Sequence, residues 1–225
     1  MKKITDKITI LKVLVGSRAH GLATKNSDYD YRSVYVIPTQ KLLSLNYKYK
    51  GSHWIEDTNK DNTSYEIGHF LYLAVKCNPS ILEVFKAPAI EATGEGLKLQ
   101  NLFPYIWNPQ DAFNAFIGYG LNQRKKFLNK KDKKPGKFAV AYIRTLNYLL
   151  DLLEHKDFDI KVKKDLAKIL MRYKKEGYYG MGEIINYAEE LQKMATIKLK
   201  NCRHIPNINK VNEFLLEIRK RYWKC

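Results

Sequence analysis

An α+β fold that gives way to an all-helical region is predicted for this chain by three observations. Its first third alternates short β-branched runs with turn residues. From about residue 108 onward, long amphipathic stretches take over with no convincing strand among them. Near the start, a Gly-Ser turn at Gly16 and Ser17 is followed, between two strand-like runs, by Asp28 and Asp30, one residue apart.

The elements follow in order. Residues 8–15 read as a strand rich in β-branched side chains, and residues 31–37 as a neighbouring strand closed by Pro38. Residues 39–45 read as a short helix or loop, followed by a polar, weakly patterned stretch through Lys60 and a third strand at 62–67. Ile67, Phe70, Leu71, Ala74 and Val75 then fall at helical spacing, and Asn78-Pro79 stops that helix and starts the next. Five long helices are expected at 109–129, 137–155, 161–173, 181–200 and 207–223. The division expected is a first domain over residues 1–105 and a helical domain over 106–225.

Composition narrows the function classes. At 225 residues and 45% hydrophobic content, the chain can bury a full core and is too apolar to be disordered. Forty Lys and Arg against 23 Asp and Glu give a formal charge of +17, which favours a polyanionic partner. Cys77, Cys202 and Cys225 stand far apart, so neither a zinc site nor a disulfide framework is indicated, and a reducing cytoplasm is expected. No run has the length of uninterrupted apolar residues that a membrane span needs.

The opening motif carries chemistry. Gly16 permits a tight turn, so that the amides of Ser17 and Arg18 and the Ser17 hydroxyl can converge on an anion. Asp28 and Asp30 begin the second strand, where residues two apart point to one face, so the two carboxylates converge, with Tyr29 facing the other way into the core. Two converging carboxylates repel each other, whereas a hard divalent cation such as Mg²⁺ (or Mn²⁺) favours clustered oxygens. A turn for phosphates beside a D-x-D for metal supplies what phosphoryl transfer requires.

Residues 16–36, GSRAHGLATKNSDYDYRSVYV, resemble the hG[GS]…DhD signature of the DNA polymerase beta nucleotidyltransferase superfamily, and within it the RNA-repair-associated family common in phage and bacteria. The resemblance continues through DNTSYEIGHFLYLAVKCNPSILEVF at 61–85 and a K-x6-R element, Lys137 to Arg144, whose usual histidine is Ala141 here. It implies a polymerase-beta-like catalytic domain that uses Mg²⁺ or Mn²⁺ and an NTP. An NMP would pass to an acceptor hydroxyl, with RNA as the partner and pyrophosphate released. Asp28, Asp30 and a third carboxylate would ligand metal and act in catalysis. Asp61 and Glu66 compete for the third place: they lie five apart, so on a regular strand only one joins the pair, and the resemblance favours Asp61. Gly16 and Ser17 would hold phosphates.

Other residues keep two readings each. Arg18 is a phosphate counter-charge or a solvated turn residue. Lys137 and Arg144, nearly two turns apart on one helix face, are phosphate ligands or a solvated basic face. The lysine-rich loop at 129–137 is a connector or a phosphate contact. His20 reads as structural, and Glu83 as an anchor for a backbone amide or a basic side chain. Two other functions stay open: a protein-modifying, AMPylating-type enzyme of the same fold, and a non-catalytic RNA-binding protein with a degenerate site.

Overall fold

The computed structural model describes the backbone of residues 7–56, 59–129 and 134–224, and their side chains except 53–61, 178 and 179. Strand β1 (Ile8–Val15) leads through a four-residue helix, α1 (Gly16–Ala19), to β2 (Asp30–Val36) and α2 (Thr39–Leu42). Strands β3 (Ser52–Glu56) and β4 (Asn59–Glu66) follow, then α3 (Ile67–Val75), α4 (Pro79–Lys86) and β5 (Ala89–Ala92). The sheet order is β3-β4-β2-β1-β5. It is mixed: β2 runs antiparallel to β1 and parallel to β4.

The helical part comprises α5 (Gly94–Gln100), α6 (Phe103–Ile106), α7 (Pro109–Leu128), α8 (Pro135–His155), α9 (Lys164–Glu176), α10 (Met181–Asn201) and α11 (Ile208–Arg221). Local chemistry sets their starts. Asn78 accepts from Ser80 N at 3.0 Å with Pro79 in the first turn of α4, and Asn108 accepts from Asp111 N at 2.8 Å with Pro109 in the first turn of α7. Such caps satisfy amides that a helix leaves without partners. Among the described residues no helix is long and apolar enough to cross a membrane.

The core is one apolar cluster that runs from the sheet into the helices. Its spine is a relay of aromatic rings. Phe70 meets Phe85 at 5.1 Å, Phe85 meets Phe103 at 6.2 Å, Phe103 meets Phe158 at 5.7 Å, and Phe158 meets Tyr148 of α8 at 4.9 Å. Each contact adds a directional term to the burial of large apolar area. The packing thus ties the strand-bearing region to the helix that the sequence marks for Lys137 and Arg144.

Three expectations need correction. The polar stretch before Lys60 contains β3 and the start of β4, which pairs with it antiparallel. Four residues after α4 form the exposed edge strand β5, where no buried face imposes a pattern. Asp28 is not on the strand and Tyr29 is not core: the regular strand begins only at Asp30, so alternation does not reach back, Asp28 stands in the exposed loop before it and Tyr29 is 55% exposed.

Candidate active site

One side of the site is built where β1 ends. Gly16 turns the chain with φ +69°, and a Cβ there would lie 2.1 Å from Asp30 Oδ2. Only glycine therefore lets the Asp30 carboxylate sit over the turn. Asp30 opens β2 opposite Val15, while Asp28 stands exposed just before the strand. The start of β2 is fixed from its other neighbour: buried Asn62 accepts from Tyr31 N at 2.7 Å.

Arg18 holds the loop that carries Asp28. Its Nη2 donates to Ser27 O at 2.7 Å and its Nε lies 3.3 Å from Asp28 O, while its guanidinium stacks 3.8 Å from the centre of the Tyr29 ring. The loop also closes on itself, with Thr24 N donating to Ser27 Oγ at 2.8 Å, as polar turn residues do.

Facing this wall, across a cavity of about 730 Å³, is a basic wall from the helical region. Lys134 precedes α8; Lys137, Val140, Ala141 and Arg144 line the cavity from α8, and Lys174 and Lys175 from the end of α9. Gly16, Ser17, Asp28 and Asp30 line the opposite side. Six of the residues the sequence singles out thus share one cavity. Arg18 is not among its lining residues, and neither is Glu66. Lys174 and Lys175 escaped the sequence reading because charged residues at the end of an amphipathic helix look the same whether they face solvent or a ligand.

Arg144 anchors a buried network at the cavity floor. Its Nη1 donates to Glu83 Oε1 of α4 at 2.5 Å and lies 3.4 Å from His20 Nδ1. Burial, the largest single influence, opposes ionisation of Glu83, but its positive neighbours, Arg144 foremost and Arg32 after it, together with the Arg144 hydrogen bond outweigh it and hold the carboxyl well below the usual range. Burial first, and then the Arg144 charge, push His20 down to about 3. His20 is therefore neutral, with Nε2 3.8 Å from Glu83 Oε2 and Nδ1 within 3.4 Å of Arg144 Nη1, 3.1 Å of the Tyr148 hydroxyl and 3.3 Å of Ile160 O. The Tyr148 hydroxyl donates to Ile160 O and is raised to about 12 by burial. Glu83 is thus the anchor for a basic side chain that its position in the sequence allows.

The third carboxylate is a question of register. Arg32 pairs with Thr63 across the parallel β2 and β4, so the same offset sets the backbone of Asp61 beside Asp30. The Asp61 side chain lies outside the described residues. Glu66 pairs with Tyr35 five residues further along, on the alternate face. Its carboxylate accepts from Gly68 N at 2.7 Å, capping α3, and meets Arg219 of α11 at 2.7 Å.

Comparison with known proteins adds the decisive finding: the family model of the RNA repair pathway DNA polymerase beta family matches residues 2–176. The chain belongs to that family. The matched residues include both walls of the cavity, and the mixed sheet followed by helices is the family's polymerase-beta-like α+β fold. A second similarity is to an uncharacterised 38.9 kDa protein of the nrdC–mobD intergenic region of Enterobacteria phage T4, 29% identical over 154 residues. The match covers 65% of this chain and 43% of that protein, so the chain spans less than half of its relative's length.

Proteins of the polymerase-beta type generally use a divalent metal and an NTP, and the residues here fit such a group. The glycine cradle leaves the Asp30 carboxylate over the turn, Asp28 is exposed at the same cavity, and both offer hard oxygen donors. Among the described residues no three His, Cys, Asp or Glu side chains stand together as ligands.

Proposed function

We propose that this chain is a nucleotidyltransferase that moves an NMP from an NTP to a hydroxyl of RNA, releasing pyrophosphate. The observation that carries this reading is the cavity between the carboxylate wall of Gly16, Ser17, Asp28 and Asp30 and the basic wall of Lys137, Arg144, Lys174 and Lys175. In the reaction the acceptor oxygen forms a bond to the α-phosphorus while the bond from that phosphorus to the α,β-bridging oxygen breaks. The acceptor proton passes to a carboxylate or to water.

Asp28, Asp30 and Asp61 would hold Mg²⁺ or Mn²⁺, which when bound supplies charge neutralisation at the reacting phosphate. Asp61, beside Asp30 in register, would orient the acceptor hydroxyl and draw off its proton. Gly16 and Ser17 offer backbone amides and a hydroxyl to the outer phosphates. Lys137 and Arg144 supply counter-charge from the opposite wall, with Arg144 held in place by Glu83. RNA as the acceptor is supported by the family match and by the net charge of +17. Free thiols at Cys77 and Cys202 accord with action in a reducing cytoplasm.

Incubating the protein with each labelled NTP and Mg²⁺ or Mn²⁺, in the presence of total RNA, tRNA or a protein extract, tests the reading. Label is expected in RNA. Asp28→Asn and Asp30→Asn should each lower transfer by on the order of 10³-fold with folding unchanged. Label in a polypeptide would replace RNA with a protein acceptor, and near-normal turnover in either variant would end the metal-site assignment.

A further inference from the structure

A second basic surface lies at the far end of the sheet. Residues 38–55 contain no Asp or Glu, and neither do residues 218–224, yet together they carry Lys41, Lys48, Lys50, Arg219, Lys220, Arg221 and Lys224. The fold brings these two segments together. Thr39 N donates to Tyr222 O at 2.8 Å, Gln40 N to Trp223 O at 3.1 Å, and Thr39 Oγ1 to Arg219 O at 2.7 Å. The end of α11 is thereby fixed against the start of α2.

Aromatic rings are interleaved with these cations. Tyr47 and Tyr49 stack with centroids 6.4 Å apart and planes 16° from parallel, and Lys41 Nζ lies 5.1 Å from the Tyr47 ring centre. Tyr49 is 45% exposed and Trp223 48%. The strip is anchored at its end: Tyr35 Oη donates to Lys50 O at 3.2 Å, and Glu66 N donates to Gly51 O at 2.8 Å. Gly51 is needed there, since a Cβ would lie 2.5 Å from His69 Cγ. Among the described residues, no ion pair engages Lys48, Lys50, Lys220 or Lys224, and all four are exposed.

Cations without counter-ions next to exposed, pre-stacked rings match one class of ligand better than any other. A single-stranded nucleic acid offers a phosphate for each lysine and a flat base for each ring. We propose that this surface binds single-stranded RNA, with Lys48, Lys50, Lys220 and Lys224 on phosphates and Tyr49 and Trp223 stacking on bases. The proposal rests on the reading of RNA as the acceptor. The surface attaches to β2 at Tyr35 and just past its end, at Thr39, while Asp30 opens that strand, so surface and cavity are separated by the length of β2, about 20 Å at the usual rise per residue. It therefore grips the body of the acceptor, several nucleotides from the reacting end. Its α11 half lies beyond residues 2–176, the part matched by the family model, so it is a property of this chain beyond that match.

The test measures binding without NTP or metal, so that it stands apart from catalysis. Fluorescence anisotropy follows a labelled, unstructured RNA of about 20 nucleotides, longer than one binding module occupies. The pair Lys48→Ala with Lys50→Ala should weaken binding and reduce the slope of log Kd against log salt by about 0.7 for each lysine removed. Tyr49→Ala and Trp223→Ala should each weaken binding about tenfold and leave the slope unchanged. Lys193→Ala, an exposed lysine of α10 outside both the cavity lining and this surface, should bind as the parent does, which separates this surface from the general positive charge of the chain. Thermal melting of every variant confirms that it is folded. Unchanged RNA affinity in the lysine pair and in both aromatic variants would overturn the proposal. So would loss of binding to anionic phosphatidylserine vesicles with RNA binding intact, which would make the surface a membrane contact.

Discussion

Two buried glutamate–arginine pairs bind the first half of this chain to the second, and they differ in what lies beside them. Glu83 of α4 pairs with Arg144 of α8 at 2.5 Å, and Glu66 at the start of α3 pairs with Arg219 of α11 at 2.7 Å. Both glutamates are nearly inaccessible. Arg144 borders the cavity that also holds Gly16, Asp28 and Asp30, whereas Glu66 caps a helix and clasps the C-terminal helix at the opposite end of the sheet. The comparison teaches that a buried, paired carboxylate is not in itself a mark of a catalytic site. Removing one partner of such a pair is costly wherever it sits, because the other charge is left without compensation. What separates the two pairs is access to a cavity.

The largest effect separates the carboxylates. Asp61→Asn should lower transfer by on the order of 10³-fold, while Glu66→Gln, compared at equal folded fraction, should keep turnover close to the parent. Single-turnover assays with melting curves decide it. Equal losses with native stability in both would show that the register of β4 does not select Asp61.

Next in size is stability. Glu83→Ala should destabilise the protein by about 3–5 kcal/mol in denaturant titration, because it strands Arg144 in the interior. Glu66→Ala should cost about 2 kcal/mol, since Arg219 can reach solvent more readily. A change under 1 kcal/mol for Glu83→Ala would mean that Arg144 has another counter-charge.

Acid should separate the two ends of the molecule as well. His20 and Glu83 both have lowered values in the folded state, so both contribute stability at neutral pH that is lost as the pH falls. The His20 contribution begins to fade below about 6.5, its unfolded value, and is gone near 3; that of Glu83 fades from about 4.5 downward. Melting temperatures recorded between pH 7 and 4 should fall, with a slope of at most about 1.4 kcal/mol per pH unit from His20, and His20→Gln should flatten the upper part of the curve. A flat profile in the parent would show that His20 is charged or exposed.

The smallest effect belongs to the exposed edge of the cavity. Lys137→Ala should raise the KM for NTP by an amount worth about 1 kcal/mol, with little change in RNA affinity. Unchanged nucleotide kinetics together with weaker RNA binding would assign Lys137 to the acceptor.

Legibility followed distance along the chain. Gly16, Asp28 and Asp30 lie close in sequence, and the need for a glycine under a carboxylate leaves a compact trace. Helices α7 and α8 are readable because their faces are amphipathic and Pro109 marks the start of the first, but α8 begins at Pro135, two residues before the expected 137, because a Pro-Gly pair that reads as a loop turn serves as the helix's first turn. The pairing of Glu83 with Arg144 was not readable, since 61 residues separate them and either could have met another partner. Arg18 reads from sequence as a phosphate counter-charge or a solvated turn residue, but its hydrogen bonds go to the carbonyls of Ser27 and Asp28, which only the loop's conformation brings within reach. Strand β5 left no alternation to find, because all four of its residues are exposed.

The loop after α1 is also stitched to the helical region: Val162 N donates to His20 O at 3.2 Å, and Lys174 Nζ to Leu22 O at 3.2 Å. His20, Leu22 and Lys174 all line the cavity, so these ties join its two walls. Parting them would break both bonds and carry a neutral histidine and its charged neighbours into water. In the proposed reaction, nucleotide and pyrophosphate would enter and leave between walls already joined at their base, past Lys137 and Lys175 at the rim.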